Sequence, residues 1–121
     1  MPIHISGTGS FIPKNKVDNN SFSDKVFFDK DGNGYPNSNV EIIEKFQKIT
    51  GIKERRYADK EHKTSDLATF AAKNAIMDAG IDKETLDYII VAHNFGDVEY
   101  GTNQYIALPS VATMVKHKLE I

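Results

Sequence analysis

Two glycines followed by isoleucine, Gly51-Ile52 and Gly80-Ile81, constrain this 121-residue chain most. Each pair closes a stretch of helical periodicity. Glycine takes the left-handed conformation that ends a helix, and the apolar residue after it folds back on the last turn. Upstream of Gly51, Ser38-Asn39-Val40-Glu41 reads as a capping box. The Ser38 hydroxyl accepts from the amide of Glu41, and the Glu41 carboxylate reaches back to the amide of Ser38. Ile42, Ile43, Phe46 and Ile49 then share one face. Glu41 and Lys45, and Glu44 and Lys48, stand four apart with the acid first, which suits pairing and the helix dipole. These signals predict a helix over 39–50. Upstream of Gly80, Thr64 or Ser65 is the expected cap and Asp66 lies in the positive first turn. Ala68, Ala72, Ile76 and Ala79 form a stripe, with Leu67, Ala71 and Ala75 beside it. Such small side chains let a helix over 65–79 lie close to a sheet or another helix.

The intervening segments read as follows. Ile3 to Ile12 is expected as a strand that ends in a bend permitted by Gly7 and Gly9. Lys14 to Asn20 is polar and turn-like, and Val26-Phe27-Phe28 and Tyr35-Pro36 flank a small surface hairpin. Lys53 to Ala58 is expected as a short exposed or edge strand, and Asp82 to Leu86 as a turn or single helical turn. Tyr88 to Ala92 is a continuous apolar run, the pattern of a parallel strand covered on both faces. Gly101 to Gln104 reads as loop. Pro109 opens a last helix that buries Val111, Val115 and Leu119 and places Lys116, His117 and Lys118 at its negative end. The alternation predicts an α/β layered domain with a mainly parallel sheet. The last helix carries no terminating signal, and a buried parallel strand needs neighbours. Both lead to the expectation of a piece cut from a longer protein.

Composition removes several classes of function. Hydrophobic residues make up 40% and charged residues 26%, as in ordinary globular domains. A net charge of -2 offers no basic field for nucleic acid or an anionic membrane. No apolar run is long enough to span a bilayer, and the start lacks the pattern of a signal peptide. With no cysteine, disulfides and thiolate metal sites are excluded within the chain, and a cytoplasmic location is the default.

Four local patterns invite a functional reading. Asp29-Lys30-Asp31-Gly32-Asn33-Gly34 matches the first half of a calcium loop, but the closing position is Val40, and Glu41 falls one residue late. A polar hairpin tip is the better reading, and no metal site is expected. Gly7-Thr8-Gly9-Ser10 lacks the further residues of a phosphate cradle and reads as a bend. His93 follows the predicted parallel strand, at the end where α/β folds bind ligands. With no nucleophile near it in sequence, a structural histidine is preferred. Lys53, Arg55 and Arg56 with Glu54 read as a solvated strand, or else as a contact for an acidic carrier protein or nucleotide phosphate.

Thr50-Gly51-Ile52-Lys53-Glu54-Arg55-Arg56, then Thr64-Ser65-Asp66-Leu67-Ala68, Asp78-Ala79-Gly80-Ile81 and Pro109-Ser110, stand in an order that resembles the amino-terminal part of the 3-oxoacyl-acyl-carrier-protein synthase III family. The likeness covers nearly the whole chain, with Ser21 to Tyr35 as an insertion. It implies the amino-terminal portion, over 1–121, of a thiolase-like fold and a homodimeric condensing acyltransferase. Such an enzyme loads an acyl primer onto a cysteine and joins it to malonyl-acyl-carrier protein, helped by a histidine and an asparagine. By the family's order all three lie beyond Ile121, so no catalytic residue is assigned and the chain alone is expected to be inactive. Coenzyme A thioester would enter as substrate, with no permanently bound cofactor. The family's aromatic residue and arginine that hold coenzyme A fall here on Lys45 and Ile49, which opens the way to a carrier-protein-bound or unusual primer. The residue before Pro109 shapes the partner's acyl pocket across the dimer, and here it is Leu108. The competing class is a non-catalytic α/β interaction or dimerisation module on the same half-fold.

Overall fold

The computed structural model describes residues 2–102 and 104–121 and divides into two compact units. One unit is Pro13–Ala58. The other combines the stretch up to Ile12 with Asp59–Ile121.

In the Pro13–Ala58 unit, β1 (Asn15–Asp18) leads through a 3-10 turn at Asn19–Phe22 and a loop to α1 (Asn39–Thr50), and β2 (Glu54–Tyr57) follows. The two strands are antiparallel, with Asn15 opposite Tyr57 and Asp18 opposite Glu54. The edge strand expected near Lys53 to Ala58 is therefore present, and its partner is the segment expected as a turn. Charged residues flank Val17, the only half-buried residue of β1, so no apolar alternation marked it as a strand. Helix α1 begins with the expected capping box: Glu41 N–H donates to Ser38 Oγ, and Ser38 N–H donates to Glu41 Oε2 at 3.0 Å. It ends at Gly51, whose φ of 69° is left-handed. Neither expected ion pair of α1 forms among the described residues; for Glu41 and Lys45 the reason is that the Glu41 carboxylate is turned back to Ser38.

The other unit is built on α2 (Thr64–Ala79) and α3 (Val111–Leu119), with a 3-10 turn at Lys83–Thr85 and the antiparallel pair β3 (Asp97–Val98) and β4 (Tyr105–Ile106). Val111, Val115 and Leu119 form its buried core, against which Ala68, Ala72, Ile76, Ile89, Val91 and Ile121 pack. The expected inner face of the last helix is thus correct. Ala71, Ala75 and Ala79 face the other way, toward the extended stretch at Gly7-Thr8-Gly9. A Cβ added to Gly7 would stand 2.5 Å from the amide nitrogen of Ala79, and one on Gly9 would stand 2.8 Å from Cα of Ala75. The two glycines are where backbone meets helix, not a bend and not a phosphate cradle. Thr8 N–H donates to Asp78 Oδ2 at 2.9 Å and Asn74 Nδ2 donates to Ser10 O at 2.9 Å, fixing the register.

Four expectations for this unit need correction. The mainly parallel sheet is not found among the described residues; both strand pairs are antiparallel. Tyr88 to Ala92 and Ile3 to Ile12 carry no strand pairing. Ile89 and Val91 pack on the core while Tyr88 and Ile90 are 86% and 92% exposed, so one face of that run is covered rather than two. A strand needs a neighbour for its amides and carbonyls, and neither segment has one here. Lys63, not Thr64 or Ser65, occupies the cap position of α2, with its amide donating to Asp66 Oδ2 at 2.8 Å. Finally, α3 does terminate: Glu120 is left-handed at φ 59°, and Lys83 Nζ donates to the carbonyls of Leu119 and Glu120 at 2.7 and 3.0 Å.

Two predictions follow from this packing. Gly9→Ala is expected to lower stability by about 3 kcal/mol through overpacking. Gly34→Ala, where an added Cβ meets nothing within 4 Å, is expected to stay within about 0.5 kcal/mol; urea melts compare the two. Burial raises the Asp66 pKa, but the Lys118 ammonium at 2.6 Å and the Lys63 amide outweigh it and hold the carboxyl below its ordinary value. A depressed carboxylate pKa stabilises the fold above the unfolded value near pH 4 and loses that contribution as pH falls through the folded value. Melting temperature should therefore drop below about pH 4, and Asp66→Asn should flatten that acid limb.

Candidate functional site

In the Pro13–Ala58 unit, the face of α1 that carries Ile42, Lys45, Phe46 and Ile49 does not close over a core. It forms one wall of a groove of about 340 Å³ whose other wall is Phe27, Phe28, Tyr35 and Asn37. The loop is held there by its own polar bonds. Asn39 Nδ2, in the first turn of α1, donates to the carbonyls of Ser23 and Lys25 at 2.5 and 2.8 Å. Tyr35 N–H donates to Phe27 O at 2.8 Å, and Phe28 bridges Gly34, so the expected hairpin exists. Its tip is tied by Asp29, whose Oδ1 accepts from the amides of Asp31 and Asn33 at 2.9 Å each. The bond from the Asn33 amide leads in lowering the Asp29 pKa. That carboxylate is spent on the turn, which gives the calcium-like pattern a structural explanation. The Phe27 and Phe46 rings meet at 6.1 Å between centroids, tilted by 52°.

Behind Phe27 and Phe46 lies a second, smaller hollow lined by Asn19, Phe22, Ile43, Arg55 and Tyr57. Arg55 is not a solvated strand residue. Its guanidinium stands 5.2 Å from the Phe22 ring centroid and donates to Asn19 Oδ1 at 2.8 Å. Asn19 Nδ2 in turn donates to Gln47 Oε1 and to Ile52 O. Arg56 and Lys16 instead pair with Glu54 at 3.6 and 2.5 Å on the exposed side, where such pairs contribute little. The Lys53–Arg56 cluster is therefore divided, with only Arg55 drawn inward.

In the other unit the densest polar cluster surrounds the start of α2. Asp97, 4% exposed, accepts from the amide of Ser65 through Oδ1 and from its hydroxyl through Oδ2, both at 2.7 Å. Lys118 Nζ, from α3, donates to Ser65 Oγ and Asp66 Oδ1 at 2.6 Å each. Thr64 Oγ1 donates to Gly96 O, and Thr69 Oγ1 to Ser65 O. A serine, a lysine and two carboxylates in contact resemble a nucleophile array, but Ser65 is 0% exposed and every partner is used. This cluster fastens α2, α3 and β3 together.

Of the residues marked from sequence, Lys45 and Ile49 come together in the aromatic groove. Leu108, 83% exposed, lies just ahead of the α3 cap Ser110. His93 is exposed and follows no strand, so the argument from a strand's carboxyl end does not apply to it. Among the described residues no group of three potential metal ligands occurs, and no helix is long and apolar enough to cross a membrane. Asp97, Asn19 and Asn39 were not singled out from sequence. Nothing marked Asp97 or Asn19, since their partners are 32 and 28 or more residues away. Asn39 stood inside the capping box, but its partners lie in the loop before it.

Curated proteins similar to this chain include two staphylococcal proteins of one name. Beta-ketoacyl-[acyl-carrier-protein] synthase III of Staphylococcus haemolyticus (strain JCSC1435) is 38% identical over 121 residues, 99% of this chain and 32% of that protein. The protein of the same name from Staphylococcus aureus (strain Newman) is 38% identical over 119 residues, 98% of this chain and 31% of that protein. The chain thus spans about a third of the length of the curated relatives it matches. No family model matches it.

Asn39→Ala removes both clamps on the loop. It is expected to cost about 1–2 kcal/mol of local stability. Hydrogen exchange should show faster exchange at the Tyr35 and Asp29 amides, with the central amides of α1 little changed.

Proposed function

We propose that this chain, a member of the beta-ketoacyl-[acyl-carrier-protein] synthase III family, is the amino-terminal part of a condensing acyltransferase of fatty-acid or related lipid synthesis. The whole enzyme would join an acyl primer, carried on coenzyme A or on acyl-carrier protein, to malonyl-acyl-carrier protein by decarboxylative Claisen condensation. The observation that carries this reading is similarity along 99% of the chain to proteins of that name. The fold supports it in two ways. Thr50-Gly51-Ile52 forms the corner from α1 to β2, with Gly51 in the left-handed form. Tyr88 to His93 and Ile3 to Ile12 carry no strand pairing, and each exposes large apolar residues that further strands would cover.

In this reading Leu108 meets the second subunit of a homodimer and shapes its acyl pocket. The cysteine nucleophile and the histidine and asparagine that assist it come from the remaining two thirds of the enzyme. Lys45 and Ile49 stand where the family has the ring and guanidinium that hold coenzyme A, which leaves room for a carrier-protein-bound or unusual primer beside an acyl-coenzyme A. The enzyme works in the cytoplasm.

The test is an assay with acyl-coenzyme A or acyl-carrier protein and malonyl-carrier protein. The 121-residue chain should give only the blank rate, because it has no cysteine to form the acyl-enzyme. A longer form that includes the downstream cysteine should turn over and lose activity when that cysteine becomes alanine. Turnover by the short chain would overturn the cysteine mechanism, and an inert longer form would favour the interaction module instead.

A further inference from the structure

We propose that the groove between α1 and the aromatic loop binds an anionic amphiphile, a carboxylate on a hydrocarbon body. Three observations carry this. The lining is mostly hydrocarbon: Phe27, Phe28, Tyr35, Ile42, Phe46 and Ile49. At about 340 Å³ it falls in the range of small-molecule sites. Its walls are already fixed without a ligand, by the Asn39 clamps, the Asp29 turn and the Ser38 cap, so little ordering entropy opposes binding.

Charge decides the polarity of the occupant. Two charged residues line the groove, Glu41 and Lys45. The Glu41 carboxylate accepts from both the amide and the hydroxyl of Ser38 at 3.0 Å and is committed to the helix cap. Among the described residues no carboxylate lies within ion-pair distance of Lys45. A ligand carboxylate supplies that partner while its chain covers the exposed rings. A nucleobase is the poorer fit, because Asn37 is the one uncharged amide in the lining that can read a polar ring edge. The groove includes Lys45 and Ile49, the positions given to coenzyme A in the family resemblance, but binding of a free carboxylate amphiphile does not require the condensing reaction.

The experiment is titration of the 121-residue chain with dodecanoate below its micelle concentration, read by calorimetry and by amide chemical shifts. Saturable one-to-one binding is expected, with shifts confined to 27–49. Lys45→Gln should weaken it about tenfold, the loss of one charge-assisted contact. Phe28→Ala and Ile49→Ser should weaken it comparably, and both sides are exposed enough that melting curves should barely move. Ile90→Ser, on the exposed apolar run of the other unit, should leave affinity unchanged. Equal binding of dodecyltrimethylammonium, shifts centred on 88–92, or indifference to Lys45→Gln would each overturn the proposal.

Discussion

The carboxylate of Asp97 holds one of the two units together. It caps the start of α2 from outside the helix, on an amide and a hydroxyl of the same serine. That serine also accepts from Lys118 of α3, so one buried hydroxyl links two helices and a strand. A buried carboxylate is costly unless each oxygen has a partner, and here both do. The apolar contact of Val111, Val115 and Leu119 with Ala68, Ala72 and Ile76 lies along the same pair of helices. Polar fastening at one end and apolar packing along the side fix how α2 and α3 cross. On its opposite face α2 meets backbone, because only glycine at positions 7 and 9 leaves room for the alanine row.

The Pro13–Ala58 unit solves a different problem. It has no residue buried as deeply as those three, and α1 buries none at all. Asn19 and Asn39 supply the missing cohesion by reaching across to side-chain and main-chain acceptors in neighbouring segments. The result is a scaffold whose apolar side chains are presented rather than enclosed. The Thr-Gly-Ile corner joins α1 to β2, while the aromatic loop in front of it belongs to the segment read as an insertion. The groove arises where that loop meets α1, beside Lys45 and Ile49.

The sequence by itself determined the three helices, the cap at Ser38, the glycine stops of the first two, the buried stripe of α3 and the family. Each of these rests on interactions within about four residues, or on a motif order, and such signals survive without knowledge of the rest of the chain. Tertiary structure decided the pairing of β1 with β2, the aim of Ser65 at Asp97, the inward turn of Arg55, the closure of α3 by Lys83 and the use of Gly7 and Gly9 as contact points. Their partners are distant in sequence, and the residue types involved are the same ones that elsewhere merely face water. The apolar run at Tyr88 to Ala92 shows the limit most clearly. Its composition marks a strand, but strand pairing requires a neighbouring strand to take up its amides and carbonyls, and no local pattern specifies one.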